Sequence, residues 1–434
     1  MPGKTHRLEK KFLTDTAWNY GAFGLMASVG AILNFFIAAW FGVEVLGVFN
    51  QVYAIFVVTA QFAAMGLHDS VQKHVAELDH DPGQVHVVSI SALTLAGITG
   101  SLVAGGIFVL SNPIAWLLDS DAVGKGIALA APGLLFFALN KVMMGVLSGA
   151  RRLKPFAAAQ GLRVIAILIC CLTIAWLEQP GYVLGICFTI AELVLFPFLL
   201  LLVRPQLFGS SGGSAFPKWL KAHFHFGIKA MLNGFLSESY IRIDILMLSL
   251  FLSDFDVGIY SFAAMFVEGL FQVPVVVRTV TNPELVRLLA RRDKPKVIQF
   301  CRKVALLSLG IFILICAGVL LVFPYLAPFF PDNLIVLCYP LLLVLVSGLV
   351  IFSTTIPFDH ILLQAGLPGR QSLLMTINVM INIALNLLLI PLFGLYGAAM
   401  ATAIAFVCAT FAVNFSARIW LGYSRGLLFS STNA

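Results

Sequence analysis

Residues 151–204 read RRLKPFAAAQGLRVIAILICCLTIAWLEQPGYVLGICFTIAELVLFPFLLLLVR. Arg151, Arg152 and Lys154 are followed by an apolar stretch at 157–177, then a loop at 178–181 without Lys or Arg. A second apolar stretch at 182–203 ends at Arg204. A helix needs about 20 apolar residues to cross the roughly 30 Å hydrocarbon core of a bilayer. The stretch is therefore predicted to be a pair of membrane helices, with both basic ends on one face and the uncharged-to-acidic turn on the other.

The same alternation extends in both directions. Twelve apolar spans are predicted at about 17–41, 45–67, 87–110, 126–148, 157–177, 182–203, 226–252, 258–282, 304–326, 336–358, 372–391 and 397–417. Of 27 Lys and Arg residues, 21 lie in the tail and loops of one face, and Lys125 is the single one in the loops of the other. Positive residues are retained on the cytoplasmic side, so both termini are expected there. Hydrophobic residues make up 60% of the chain and charged residues 11%, with a mean hydropathy of +0.98. This composition belongs to a polytopic all-α membrane protein. The spans leave no room for a soluble catalytic domain, and the net charge of +7 is the positive-inside excess facing anionic lipid, not a nucleic-acid signal.

The seven cysteines fall in spans or on the cytoplasmic side and none in an outer loop, so no disulfide is expected. His68, His74, His80 and His86 recur every six residues, a spacing that suits neither one helix face nor a metal site, and they read as loop residues. No metal and no cofactor are expected. The start, MPGKTHRLEKKF, is basic, but the first span is long and lacks a small-residue cleavage site. It reads as a retained helix, not a signal peptide.

The chain also repeats itself. Leu46-Gly47-Val48-Phe49-Asn50 opens the second span and Val257-Gly258-Ile259-Tyr260-Ser261 the eighth. Pro180-Gly181-Tyr182-Val183-Leu184-Gly185 resembles Pro391-Leu392-Phe393-Gly394-Leu395-Tyr396-Gly397 at a similar offset. Two six-helix bundles related by pseudo-twofold symmetry are expected, 1–208 and 226–434, around a central cavity. A cytoplasmic linker at 209–225 containing the run Gly209-Ser210-Ser211-Gly212-Gly213-Ser214 would join them. Separate interfacial helices are expected at Phe216–Lys221 and after Asn282-Pro283-Glu284.

Charges inside the spans are where function is sought. Lys141, Arg163, Lys229 and Arg278 lie near cytoplasmic ends. They either snorkel to the interface or form a basic vestibule for an anionic headgroup. Glu192, Glu238, Arg242, Asp244 and Glu268 lie deeper. At about 3 kcal/mol each, they would cost on the order of 15 kcal/mol facing lipid, so each must pair or face a wet cavity. Glu238 and Arg242 are four apart and can pair. Asp244 points elsewhere and needs a partner on another helix. In a cavity, Arg242 would meet substrate anions while the carboxylates carry protons or sodium. Asn378, Asn382 and Asn386 stack on one helix face, and Asn19 and Asn34 lie close to one face of the first span. Interhelical hydrogen bonds or substrate contacts both suit such amides.

Several of these stretches resemble the multidrug/oligosaccharidyl-lipid/polysaccharide (MOP) exporter superfamily, and within it the polysaccharide transporter, or oligosaccharide flippase, family. The resemblance is carried by Leu46 to Asn50 with Gly66-Leu67, Arg242-Ile243-Asp244-Ile245-Leu246-Met247-Leu248, and Val257 to Ser261 running on to Asn282-Pro283-Glu284. The strongest part is Gln364-Ala365-Gly366-Leu367-Pro368-Gly369-Arg370, continuing through Asn382, Asn386, Leu389-Ile390-Pro391 and Gly397-Ala398-Ala399-Met400-Ala401-Thr402. The family implies a twelve-helix transporter flipping polyprenyl-diphosphate-linked oligosaccharide to the outer leaflet of a bacterial inner membrane. Such transport serves lipopolysaccharide or exopolysaccharide synthesis, with H+ or Na+ as coupling ion and other polysaccharide assembly proteins as partners. Two alternatives remain. A multidrug and toxin extrusion cation antiporter of the same superfamily would want an acidic cavity, whereas the candidates here are mixed and lean basic. A membrane polysaccharide polymerase or ligase would want a large outer loop with catalytic residues. The longest outer loop here, 111–125, holds one Lys and two Asp, so an enzyme is not expected.

Overall fold

The computed structural model describes residues 24–26, 28–78, 80–207, 215–291, 293–423 and 426–429. They form helices α1 (Gly24–Trp40), α2 (Val43–Ala64), α3 (Leu67–Glu77), α4 (Pro82–Leu117), α5 (Asp121–Gly149), α6 (Leu153–Trp176), α7 (Ile186–Leu207) and α8 (Phe216–Ser249). The remainder are α9 (Asp254–Ala290), α10 (Lys294–Val322), α11 (Leu334–Ser353), α12 (Ile361–Gln364), α13 (Pro368–Leu421) and α14 (Gly426–Phe429). Among the described residues, nine helices are long and apolar enough to cross a membrane. Helix α13 counts among them once but holds two spans, because Gly394 interrupts it at φ 58°, ψ −132°, a conformation open only to glycine. Gly397 packs against the Leu389 carbonyl so closely that a Cβ would not fit, so the chain doubles back there. With α1 and the more polar α8, these helices account for all twelve expected spans. The protein is multi-pass and all-α.

The two segments expected as separate interfacial helices are not separate. Residues 216–221 are the first turns of α8, and residues 282–290 the last turns of α9, whose 37 residues reach about 55 Å at 1.5 Å per residue. Nothing in either sequence stops the helix. Pro217 sits in the first turn of α8, where its missing N–H costs nothing.

The chain divides into two compact units. The first contains Met1–Phe41 and Val48–Glu238, and the second contains Gly42–Gly47 and Ser239–Ala434. The Gly/Ser run 209–214 lies outside the described residues.

In the first unit α5 packs along α4, α7 and α3, and α6 packs on α7. Pro132 lies inside α5, and the gap it makes is filled from α7. The Gly133 N–H donates to Thr189 Oγ1 (3.1 Å), and that hydroxyl donates to the Leu129 carbonyl (2.6 Å). A side chain of one helix thus completes the backbone ladder of another. A second polar clasp joins α3, α4 and α8. Buried His223 places Nε2 3.1 Å from the Val88 carbonyl and Nδ1 2.8 Å from Ser70 Oγ. A carbonyl only accepts, so Nε2 carries the proton and Nδ1 accepts from Ser70. This is the neutral tautomer. His223 precedes the seventh span, and burial lowers its pKa to about 4.

The sign of the resulting pH dependence follows. The folded-state value lies below the ordinary 6.5, so the neutral ring's stabilisation is complete above that value and is lost as pH falls toward 4. At pH 5 the loss is about 2 kcal/mol. Thermal unfolding in detergent is expected to show a lower midpoint at pH 5 than at pH 7.5, with a smaller drop in His223→Gln. Equal drops in both proteins would contradict this.

In the second unit α11 packs on α9 and α13, and α10 packs on α9. Here Gly47, at the start of α2, meets Gly258, at the start of α9. A Cβ on Gly47 would overlap the Asp254 carbonyl, and one on Gly258 would overlap the Val43 carbonyl. The matched glycines of the two repeated motifs thus form one backbone-to-backbone contact, the close approach that small residues permit between membrane helices.

Candidate functional site

Each unit holds a buried polar cluster. In the first, Glu192 of α7 is 3% exposed and lies against Arg163 of α6, with Nε to Oε1 at 2.7 Å and NH2 to Oε2 at 3.4 Å. Asn140 of α5, fully buried, donates to both Glu192 Oε2 and the Glu192 carbonyl at 2.8 Å. The carboxylate therefore has a cation on one side and an amide on the other, which offsets its desolvation. Arg163 Cζ and Lys141 Nζ lie 5.4 Å and 5.5 Å from the centroid of the Phe137 ring, within cation–π range. The Lys141 ammonium has no carboxylate within 4.0 Å among the described residues. Glu238, Glu192 and Asp69 act on it through space.

In the second unit, Asp244 of α8 is buried and takes hydrogen bonds from three neutral groups on two other helices. Tyr260 Oη of α9 donates to Oδ2 at 3.2 Å, Thr402 Oγ1 of α13 to Oδ2 at 2.8 Å, and Asn386 Nδ2 of α13 to Oδ1 at 2.9 Å. Asn382 accepts from Asn386, extending the network along α13. No basic group lies within 4.0 Å of Asp244 among the described residues. The donors satisfy the lone pairs of the carboxylate without balancing its charge, an arrangement that suits a bound proton or a small cation.

Two further ion pairs lie in the same unit. Arg242 takes its carboxylate from α9, not from the residue four before it, and its NH1 lies 3.0 Å from Glu268 Oε1. Arg278 NH1 reaches both oxygens of Asp359, at 3.0 Å and 2.7 Å, just beyond α11.

The five basic candidates thus separate. Arg163, Arg242 and Arg278 have carboxylate partners, whereas Lys141 and the exposed Lys229 have none within 4.0 Å among the described residues. Asn34 accepts from Asn50 of α2 at 3.1 Å, an interhelical bond. Asn378 Oδ1 is buried without a donor, so this amide keeps an open acceptor. Asn19 lies outside the described residues. Sequence reasoning did not single out Asn140, Asp359, Tyr260 or Thr402. Tyr260 and Thr402 stood in quoted motifs as fold markers, and their hydroxyls were the available signal. Asn140 adjoins Lys141, but nothing in its spacing points to Glu192, 52 residues away.

Residues 41–330 match the family model described as polysaccharide biosynthesis protein. The chain belongs to that family. No curated protein matches. Among solved structures, the fold is similar to the lipid II flippase MurJ in an inward closed conformation, with TM-score 0.73 and 16% identity over 92% of this chain and 86% of that one. It is similar to an inward-facing multidrug resistance MATE family transporter of the MOP superfamily, with TM-score 0.73 and 14% identity over 92% and 94%. A Pyrococcus furiosus MOP superfamily transporter, whose binding pocket is described as reversed in polarity, matches with TM-score 0.58 and 15% identity over 90% and 92%. The fold is that of the MOP superfamily. Flippases and multidrug transporters share it, so substrate is decided by the side chains within it.

Proposed function

We propose that the protein flips a polyprenyl-diphosphate-linked oligosaccharide from the cytoplasmic to the outer leaflet of a bacterial inner membrane by alternating access, with both termini cytoplasmic. The observation that carries this reading is membership of a polysaccharide biosynthesis family on a transporter fold. A diphosphate-sugar headgroup cannot enter hydrocarbon unless other polar groups replace its water. Lys141, its ammonium free of a close carboxylate, is the first contact for the diphosphate, and Arg163, oriented by Glu192, is the second. The open amide of Asn378 suits a sugar hydroxyl. Asp244 takes up and releases the coupling proton or sodium ion, while Glu192 and Glu268 act as fixed counter-charges to Arg163 and Arg242. Glu238 balances Lys141 between transport steps.

The test is a deletion strain whose lipid-linked glycans are measured by mass spectrometry, with tolerance to cationic drugs measured in parallel. Accumulated polyprenyl-diphosphate glycan, reversed by the wild-type gene and with unchanged drug tolerance, is the expected result. Normal glycan with drug hypersensitivity would replace this reading with a cation antiporter.

A further inference from the structure

Two thiols meet where α6 packs on α7. Cys171 Sγ lies 3.4 Å from Cys187 Sγ, and Cys170 adjoins Cys171 in the sequence. Cys171 and Cys187 are fully buried, while Cys170 is 8% exposed. The other four cysteines make no such contact with one another among the described residues. The described residues form no group of three His, Cys, Asp or Glu side chains able to hold a metal ion.

The expectation that the chain carries no disulfide rested on the absence of cysteines from its outer loops. The fold removes that ground. Cys171 precedes the end of α6 by five residues, and Cys187 is the second residue of α7. Cys171 is therefore about 8 Å from the end of α6 at 1.5 Å per residue, and Cys187 follows loop 178–181 by six residues, across the short 3-10 helix Gly181–Gly185. By the charge asymmetry that loop faces outward, toward the compartment in which disulfides persist. A gap of 3.4 Å closes to the bond length of about 2.05 Å with a small side-chain rotation.

We propose that Cys171 and Cys187 are a disulfide-forming pair, with Cys170 the entry thiol. The proposal rests on the orientation given by the charge asymmetry and is independent of the substrate. The oxidant is a disulfide carrier of the outer compartment. The Cys170 thiolate attacks the carrier disulfide, forming a mixed disulfide and releasing one carrier thiol. The Cys187 thiolate displaces the second carrier thiol, giving a 170–187 bond. The Cys171 thiolate then displaces Cys170, leaving a 171–187 bond and a free Cys170. Two protein thiols and one carrier disulfide become one protein disulfide and two carrier thiols, with the protons leaving on the carrier. The bond would tie the outer ends of α6 and α7 together across a short turn, in the bundle that holds Arg163 and Glu192.

The experiment uses the full-length protein in membranes from aerobically grown cells. Free thiols are blocked with one maleimide on denaturation without reductant. Newly exposed thiols are then labelled with an isotopically distinct maleimide after reduction, and peptides are read by mass spectrometry. Cys171 and Cys187 are expected to carry the second label in most molecules, and Cys170 and Cys408 the first. Cys187→Ser should move Cys171 to the first label, and Cys171→Ser should shift the second label to Cys170. The first label on all three thiols of the wild-type protein would overturn the proposal, and that readout depends on no variant folding. A first-label result with normal glycan flipping would leave the proposed function standing.

Discussion

Asp244→Asn is expected to reduce gradient-driven headgroup translocation about a hundredfold, the upper end of coupling free energies of about 1–3 kcal/mol, while leaving the protein in the membrane at normal level. The amide keeps the size of the carboxylate and can still accept from Thr402 Oγ1 and Tyr260 Oη. It cannot bind and release a positive charge. Thr402→Val removes one of the three donors and leaves the charge, so it should cost much less. The measurement is translocation of a fluorescent polyprenyl-diphosphate sugar in proteoliposomes, with a proton or sodium gradient imposed in turn. Wild-type rates in Asp244→Asn under both gradients would reduce the network to a packing device, with Asp244 joined to α9 and α13 for stability alone.

Gly258→Val is expected to abolish accumulation of folded protein. The contact of α9 with the start of α2 leaves no volume for even one carbon, because the atom opposite is the Val43 carbonyl, part of a helix backbone. A flexible side chain could move aside, but a helix must translate. The cost should reach about 4–5 kcal/mol, the exceptional end for single substitutions. Gly269→Val on the same helix, where nothing lies within 4 Å of an added Cβ, is the control. Fluorescence-detected size-exclusion of the two variants separates the cases. A monodisperse Gly258→Val peak at wild-type height would show that the two helices can part without loss.

Composition was enough to read the twelve spans, because hydrocarbon admits little but continuous apolar helix. The turn at Gly394 was legible too, since Pro391 and the glycines around it punctuate an otherwise unbroken apolar run. Helix length beyond the membrane was less so. Helices α8 and α9 run on through Phe216–Lys221 and Asn282–Ala290 because nothing there breaks a helix, and the hydropathy that ends a span does not end the helix. The site was read as a set of charges but not as a set of pairs. Asp244 was visibly in need of company on another helix, yet three hydroxyl or amide partners lie 16, 142 and 158 residues away. Spacing within one helix suggested Glu238 for Arg242, and packing supplied Glu268 instead. Asp359, which takes Arg278, lies just past the predicted end of a span, where an acid reads as an ordinary loop residue.

The Thr189 hydroxyl set into the backbone of α5 has a mechanical meaning. A proline ordinarily gives a helix a private joint, free to flex without its neighbours. At Pro132 the joint is pinned by a second helix, since the hydroxyl bridging Gly133 and Leu129 belongs to α7. Flexing α5 there must either drag α7 along or break two hydrogen bonds at once. Lys141 and Asn140 ride on the C-terminal arm of that lever, and Glu192 follows Thr189 on the helix that pins it. Ammonium, amide and carboxylate therefore travel as a set, and a swing of α5 would carry the charged cluster whole instead of pulling it apart.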